Sequence, residues 1–220
     1  MEIYNEPIFI WLSQFAFEPG MVYLAVVGMM VLSSIGFPLP EEVTLLSVGF
    51  MAFIGLHPDK FPPPYAGAPV VNVHVAAAIA FCAIFFSDFF IYFLGRRYGR
   101  RLIEKPAMRK FISVEMMDKV EKWTAKYGVF ACGLFRFTPG IRFPGHLACG
   151  MANFSATKFA LVDGTAALIS VPTQIYLIAY YGEPILAVLK EIKIVVAVLI
   201  VVALVAFIVH KIRAKKRAAA

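Results

Sequence analysis

Residues 135–145 read Phe-Arg-Phe-Thr-Pro-Gly-Ile-Arg-Phe-Pro-Gly, which sets two guanidiniums, Arg136 and Arg142, six positions apart in an otherwise apolar stretch. Arginine keeps its charge, and its planar fork grips a carboxylate or phosphate through two parallel hydrogen bonds. On a continuous helix residues at this spacing point to different faces. Pro139, Gly140, Pro144 and Gly145 predict a break instead, because proline removes a backbone donor and glycine admits conformations closed to other residues. A chain that turns there brings both guanidiniums to one place. The sharp reading is a phosphate clamp for a lipid headgroup, since arginine at membrane depth marks a functional site by default. The plain reading is that both arginines pair with Glu41 or Glu42 and hold the chain together.

Those two acids follow a second break, Pro38-Leu39-Pro40-Glu41-Glu42. They fit the N-terminus of the next half-helix, where the helix dipole favours a negative charge. Plain capping explains them. So does proton coupling, because burial and a nearby arginine act in opposite directions on such a carboxylate. Asp88 lies within an apolar segment and either relays protons or satisfies a neighbouring helix. Tyr92 and Arg96, at i+4 and i+8, share its face and favour the structural role. Asp163 carries the same ambiguity. His146 follows the arginine motif in an Arg-Phe-Pro-Gly-His run that weakly resembles one element of lipid phosphatases, but the companion elements are missing. His57 and His74 read as loop and interface residues, and no histidine–carboxylate spacing argues for a metal. Cys82, Cys132 and Cys149 sit in apolar surroundings and read as small packing residues rather than as a disulfide. No cofactor is expected.

Elements that position these residues must be helices in a membrane. The chain has 220 residues, 60% hydrophobic and 16% charged, with a mean hydropathy of +0.77, whereas a soluble domain carries about 25% charged residues. Its formal charge of +7 and pI near 9.4 reflect cations beside apolar segments, as the positive-inside rule requires, and not nucleic-acid binding. The N-terminus lacks the pattern of a signal peptide.

One membrane domain over residues 1–220 is expected. Its first half, residues 1–95, holds an aromatic interfacial helix, a broken hairpin over about 21–56 and a span over about 73–95. Each hairpin limb falls short of the roughly 20 residues a span needs. Residues 96–126 form a basic cytoplasmic loop with an amphipathic helix that Ser113 can cap. The second half, residues 127–181, repeats the order: a hairpin over about 129–154, then a span over about 157–181. A last span at 190–210 and a basic tail at 211–220 follow, both consistent with a cytoplasmic C-terminus. Two Gly/Pro-interrupted hairpins entering from opposite faces make an inverted repeat, which points to a transport site near the midplane. The expected fold is therefore all-α and polytopic, with two re-entrant hairpins plus spanning helices.

Four motifs resemble one family. Residues 36–43, Gly-Phe-Pro-Leu-Pro-Glu-Glu-Val, are similar to the proline-rich, acid-terminated motif of the DedA family, also called the SNARE-associated or VTT-domain family. Residues 87–96 are similar to its Gly-Asp-x-x-x-Tyr-x-x-Gly-Arg signature, with Ser87 in place of the glycine. The arginine stretch resembles its Arg-Phe-x-Pro-x-x-Arg motif, and residues 150–154 its small-residue segment with methionine.

The resemblance implies a bacterial inner-membrane protein that moves lipids between leaflets, undecaprenyl phosphate or phospholipids among them, often in dependence on the proton gradient. It maps the family's acidic positions onto Glu41 or Glu42 and its arginines onto Arg136 and Arg142. The expected activity is a polyprenyl phosphate transporter and not an enzyme. Membrane lipids and protons are its partners, and a homo-oligomer is left open. A phospholipid scramblase and a lipid phosphatase are the alternatives.

Overall fold

The computed structural model describes residues 11, 13–34, 41–99, 101, 114–138 and 141–182. Among them every regular element is a helix: α1 (Pro19–Ser34), α2 (Glu41–Leu56), α3 (Val73–Tyr98), α4 (Val114–Tyr127), α5 (Phe130–Arg136), α6 (Arg142–Met151) and α7 (Ala156–Gly182). The expected last span, the basic tail, residues 8–10 and 12 of the interfacial helix and the break residues Pro38, Pro40, Pro139 and Gly140 lie outside the described residues.

Length divides the helices into two groups. With 26 and 27 residues, α3 and α7 are about 40 Å long, enough to cross a hydrocarbon core of about 30 Å with tilt. At 16 residues each, α1 and α2 reach about 24 Å, while α5 and α6, with 7 and 10 residues, reach about 10 and 15 Å. None of these four crosses alone. Burial follows the same division of labour. α1 is apolar all round, yet buries only the stripe Val22, Val26, Met30 and Ser34, leaving Leu24, Val27, Val31 and Leu32 exposed. A helix apolar on its free face suits a lipid environment.

α3 begins where the loop over 57–72 ends, with the Asn72 side chain accepting hydrogen bonds from the backbone N–H groups of His74 and Val75, a standard N-cap. Its residues run antiparallel to α7: His74 at its start bonds the Tyr176 hydroxyl late in α7, and Tyr92 near its end stacks on Phe159 early in α7, centroids 4.4 Å apart. Two apolar cores flank this pair. One gathers α1, α2, the first half of α3 and the second half of α7. The other gathers the end of α3 with α4, α5, α6 and the start of α7.

In that second core α3 and α6 touch backbone to backbone. A Cβ on Gly95 would collide with the Leu147 carbonyl, and one on Gly150 with the Tyr92 carbonyl, so only glycine permits the approach. α4 lies across this core as an amphipathic helix, burying Val120 while Asp118, Lys119, Glu121 and Lys122 face outward, and Trp123 stacks on Phe135.

Two expectations are corrected here. Pro144 and Gly145 do not belong to the break; they lie in the first turn of α6, whose first i→i−4 bond runs from the Gly145 N–H to the Ile141 carbonyl. At that position proline's missing N–H has no helical acceptor to lose, so it starts the helix rather than ending the previous one. Second, Cys132 and Cys149 are joined as a disulfide, while Cys82 is free. Antiparallel packing of α5 on α6 brings together two cysteines that lie 17 positions apart, a proximity that apolar surroundings alone do not reveal.

Candidate functional site

Between the two cores lies a layer of charge. Glu41 comes from the first turn of α2, Asp88 from the middle of α3, Arg136 from the last turn of α5, Arg142 and His146 from the first two turns of α6, and Asp163 from α7. The short α5–α6 connection explains the arginines: one ends a helix and the other begins the next, so both reach the same point. A four-residue step then puts Arg142 and His146 on one face of α6.

Asp88 is the hub and has no exposed surface. Its Oδ1 and Oδ2 accept from Nε and Nη2 of Arg142 at 3.2 and 2.6 Å, the paired fork geometry of a strong guanidinium–carboxylate contact. Its Oδ2 also accepts from Nη1 of Arg136 at 3.0 Å. Nη1 also lies 3.7 Å from Asp163 Oδ1, while Nε of Arg136 donates to Ser170 Oγ at 3.1 Å and Nη2 to Glu41 Oε1 at 3.5 Å. Glu41 Oε2 pairs with Nη1 of Arg142. Exposure is graded: 3% for the Arg136 side chain, 13% for Arg142 and 16% for Glu41. Glu41 is thus the carboxylate at the rim, and the aspartates are sealed behind the guanidiniums.

His146 is fully buried between two acids, Nδ1 3.3 Å from Asp88 Oδ1 and Nε2 3.3 Å from Asp163 Oδ1. Its Nε2 also faces the Cys132 carbonyl at 3.3 Å, and Phe159 meets the ring edge-on. Neither Asp163 oxygen makes a hydrogen bond among the described residues. Beside this layer Ser87 Oγ donates to Ser34 Oγ at 2.7 Å and ties α1 to α3.

Asp88, His146 and Asp163 have ligand atoms within 4.8 Å of one another, which is the donor set of a cation site. Arg136 stands against both aspartates, so a guanidinium already supplies the positive charge there. Guanidiniums hold anions through paired hydrogen bonds, and the most exposed of the anions that Arg136 and Arg142 hold is Glu41.

Of the residues singled out in sequence, Arg136, Arg142, Asp88 and Glu41 meet in this layer, while Glu42 is exposed and outside it. Asp88 does not bond to Tyr92 or Arg96 among the described residues; Arg96 donates to the Tyr92 hydroxyl at 2.8 Å, and both hold the Phe154 carbonyl. Sequence reasoning left Asp163 ambiguous, tied His146 only to a weak phosphatase likeness and passed over Ser170. The available signal was an acid in each long apolar segment, Asp88 and Asp163, together with a histidine one helical turn after Arg142.

The family model for the VTT domain matches residues 39–180, which contain every member of the charged layer. An uncharacterized membrane protein of Haemophilus influenzae is 31% identical over 156 residues, 70% of this chain and 68% of that protein. Protein DedA of Escherichia coli K12 is 28% identical over 149 residues, 68% and 67% of the two chains. The uncharacterized membrane protein YbfM of Bacillus subtilis is 33% identical over 127 residues, 58% and 68%. No solved structure matches. With two helices long and apolar enough to cross a membrane, the chain is a membrane protein and belongs to the DedA family of VTT-domain proteins.

Proposed function

We propose that this protein carries a lipid phosphate, specifically a polyprenyl phosphate such as undecaprenyl phosphate, between the leaflets of a bacterial inner membrane. The observation that carries this reading is the convergence of Arg136 and Arg142 on one buried point, held by Asp88 from behind and by Glu41 at the rim. A phosphate oxygen pair matches the geometry of the Glu41 carboxylate. Displacing Glu41 exchanges one anion for another and leaves no guanidinium buried without a partner, a state that costs about 3–5 kcal/mol. The two short helix pairs, α1–α2 and α5–α6, act as re-entrant hairpins from opposite faces, with the basic segment around residues 96–126 and the C-terminus on the cytoplasmic side. Proton movement down its gradient drives the exchange.

Reconstitution into vesicles with a fluorescent polyprenyl phosphate in one leaflet tests the reading, through leaflet-resolved quenching with and without an imposed pH gradient. Movement of the phosphate lipid that exceeds movement of a labelled phosphatidylethanolamine supports it. Equal movement of both, indifferent to the gradient, identifies a scramblase instead, and release of inorganic phosphate identifies a phosphatase.

A further inference from the structure

We propose that His146 is the proton-binding group of the site, held as an imidazolium between Asp88 and Asp163, and that a phosphate anion binds to this charged form. The second half of the statement rests on the lipid-phosphate reading above; the first does not.

The ring decides the first half. Both nitrogens of His146 face carboxylate oxygens, Nδ1 toward Asp88 and Nε2 toward Asp163, each at 3.3 Å. A neutral imidazole carries one N–H and one lone pair, so one nitrogen would set its lone pair against a carboxylate in a sealed site. The doubly protonated ring sets a positive charge between the two carboxylates, with Nε2 also in reach of the Cys132 carbonyl. It adds to Arg136 a second cation beside Asp163, whose oxygens, like His146 Nδ1, are buried without a hydrogen bond among the described residues.

Charge counting decides the second half. The groups facing His146 and its partners are Glu41 from α2, Asp88 from α3, Arg136 and the Cys132 carbonyl from α5, Arg142 from α6 and Asp163 from α7. Once the phosphate has displaced Glu41, Asp88 and Asp163 stand against two guanidiniums, so the layer that receives the anion sums to zero when the imidazole is neutral. With His146 protonated it carries +1, and a phosphate then meets a net positive charge in a poorly solvated place. The proton comes from the aqueous side on which the lipid is loaded and returns to water when His146 releases it. Its departure removes that positive charge and weakens the hold on the anion, so one protonation event on one ring nitrogen links lipid loading to the proton.

The test uses the full chain in detergent micelles with ¹⁵N-labelled histidine, carrying His57→Gln, His74→Gln and His210→Gln so that His146 alone reports. The ring ¹⁵N shifts at pH 7 are expected to be those of an imidazolium, and Asp163→Asn is expected to move the loss of that signal to lower pH. Binding of farnesyl phosphate, a short polyprenyl phosphate, is expected to weaken about tenfold per pH unit above the point at which the imidazolium signal disappears, as linkage to one proton requires. Neutral-imidazole shifts at pH 7 overturn the assignment. An imidazolium whose titration leaves farnesyl phosphate affinity unchanged overturns the coupling. Failure of farnesyl phosphate to bind at any pH, with the imidazolium seen, overturns the lipid-phosphate reading and leaves the proton assignment supported.

Discussion

The helices flanking residues 35–40 and those flanking residues 137–141 meet the same buried layer with different equipment. α1 and α2 are long, almost wholly apolar limbs that contribute one charged group, Glu41, at the rim. α5 and α6 are short, end and begin on arginines, and add a buried histidine. One region is packed by hydrophobic contact and places a single anion at the rim; the other is held by its own apolar core, by the glycine contact with α3 and by charge to α3 and α7. On the transport reading proposed above, the difference separates two jobs, holding a cation pair in place and exchanging its counter-ion.

Breaking the fixed side is expected to have the largest effect. Arg136→Ala leaves Asp88 and Asp163 short of positive charge and is expected to destabilise the protein by about 3–5 kcal/mol, read as a fall in detergent melting temperature, and to reduce lipid translocation to the protein-free vesicle rate. Arg136→Lys restores charge without the fork and is expected not to rescue transport; wild-type transport by a folded Arg136→Ala protein would defeat the clamp. Next, Gly150→Ala forces a methyl into the α3 backbone at the Tyr92 carbonyl, with an expected loss of about 1–3 kcal/mol and reduced transport, checked by thermal melting and the same vesicle assay. An unchanged melt would mean that the second hairpin is not held by α3.

On the exchangeable side the effects are smaller. Glu41→Gln removes charge from the rim pair with Arg142 and Arg136, a change of about 1.5–3 kcal/mol in that interaction. Farnesyl phosphate should bind more tightly while its release, and so transport, slows. Glu42→Gln, one residue on but exposed, is expected to change stability by less than about 0.5 kcal/mol and to leave transport as it was; a transport defect as large as that of Glu41→Gln would erase the distinction between rim and exterior.

What could be read from the sequence was mostly local. The long apolar helix beginning at Val73 and the separation of α5, ending at Arg136, from α6, beginning at Arg142, follow from runs of one residue type and their interruption. Arg136, Arg142 and Asp88 stand out because charge is rare in such surroundings. The convergence of Asp163 with His146 was not legible, since it depends on α7 running antiparallel to α3, a long-range fact that spacing does not carry. Pro144-Gly145 misled because proline at a helix start and proline at a break look the same along the chain. The Cys132–Cys149 bond was missed for a related reason, as seventeen positions say nothing about contact until α5 folds on α6.

The glycine contact between α3 and α6 has a mechanical consequence. Two backbones pressed together at Gly95 and at Gly150 leave no clearance for α6 to roll or slide on α3. Asp88, Arg142 and His146 therefore share one frame of reference, and the packing of α6 on α3 fixes their spacing. On the transport reading, a phosphate is admitted where Glu41 meets Arg142, because Glu41 is the most exposed carboxylate of the layer.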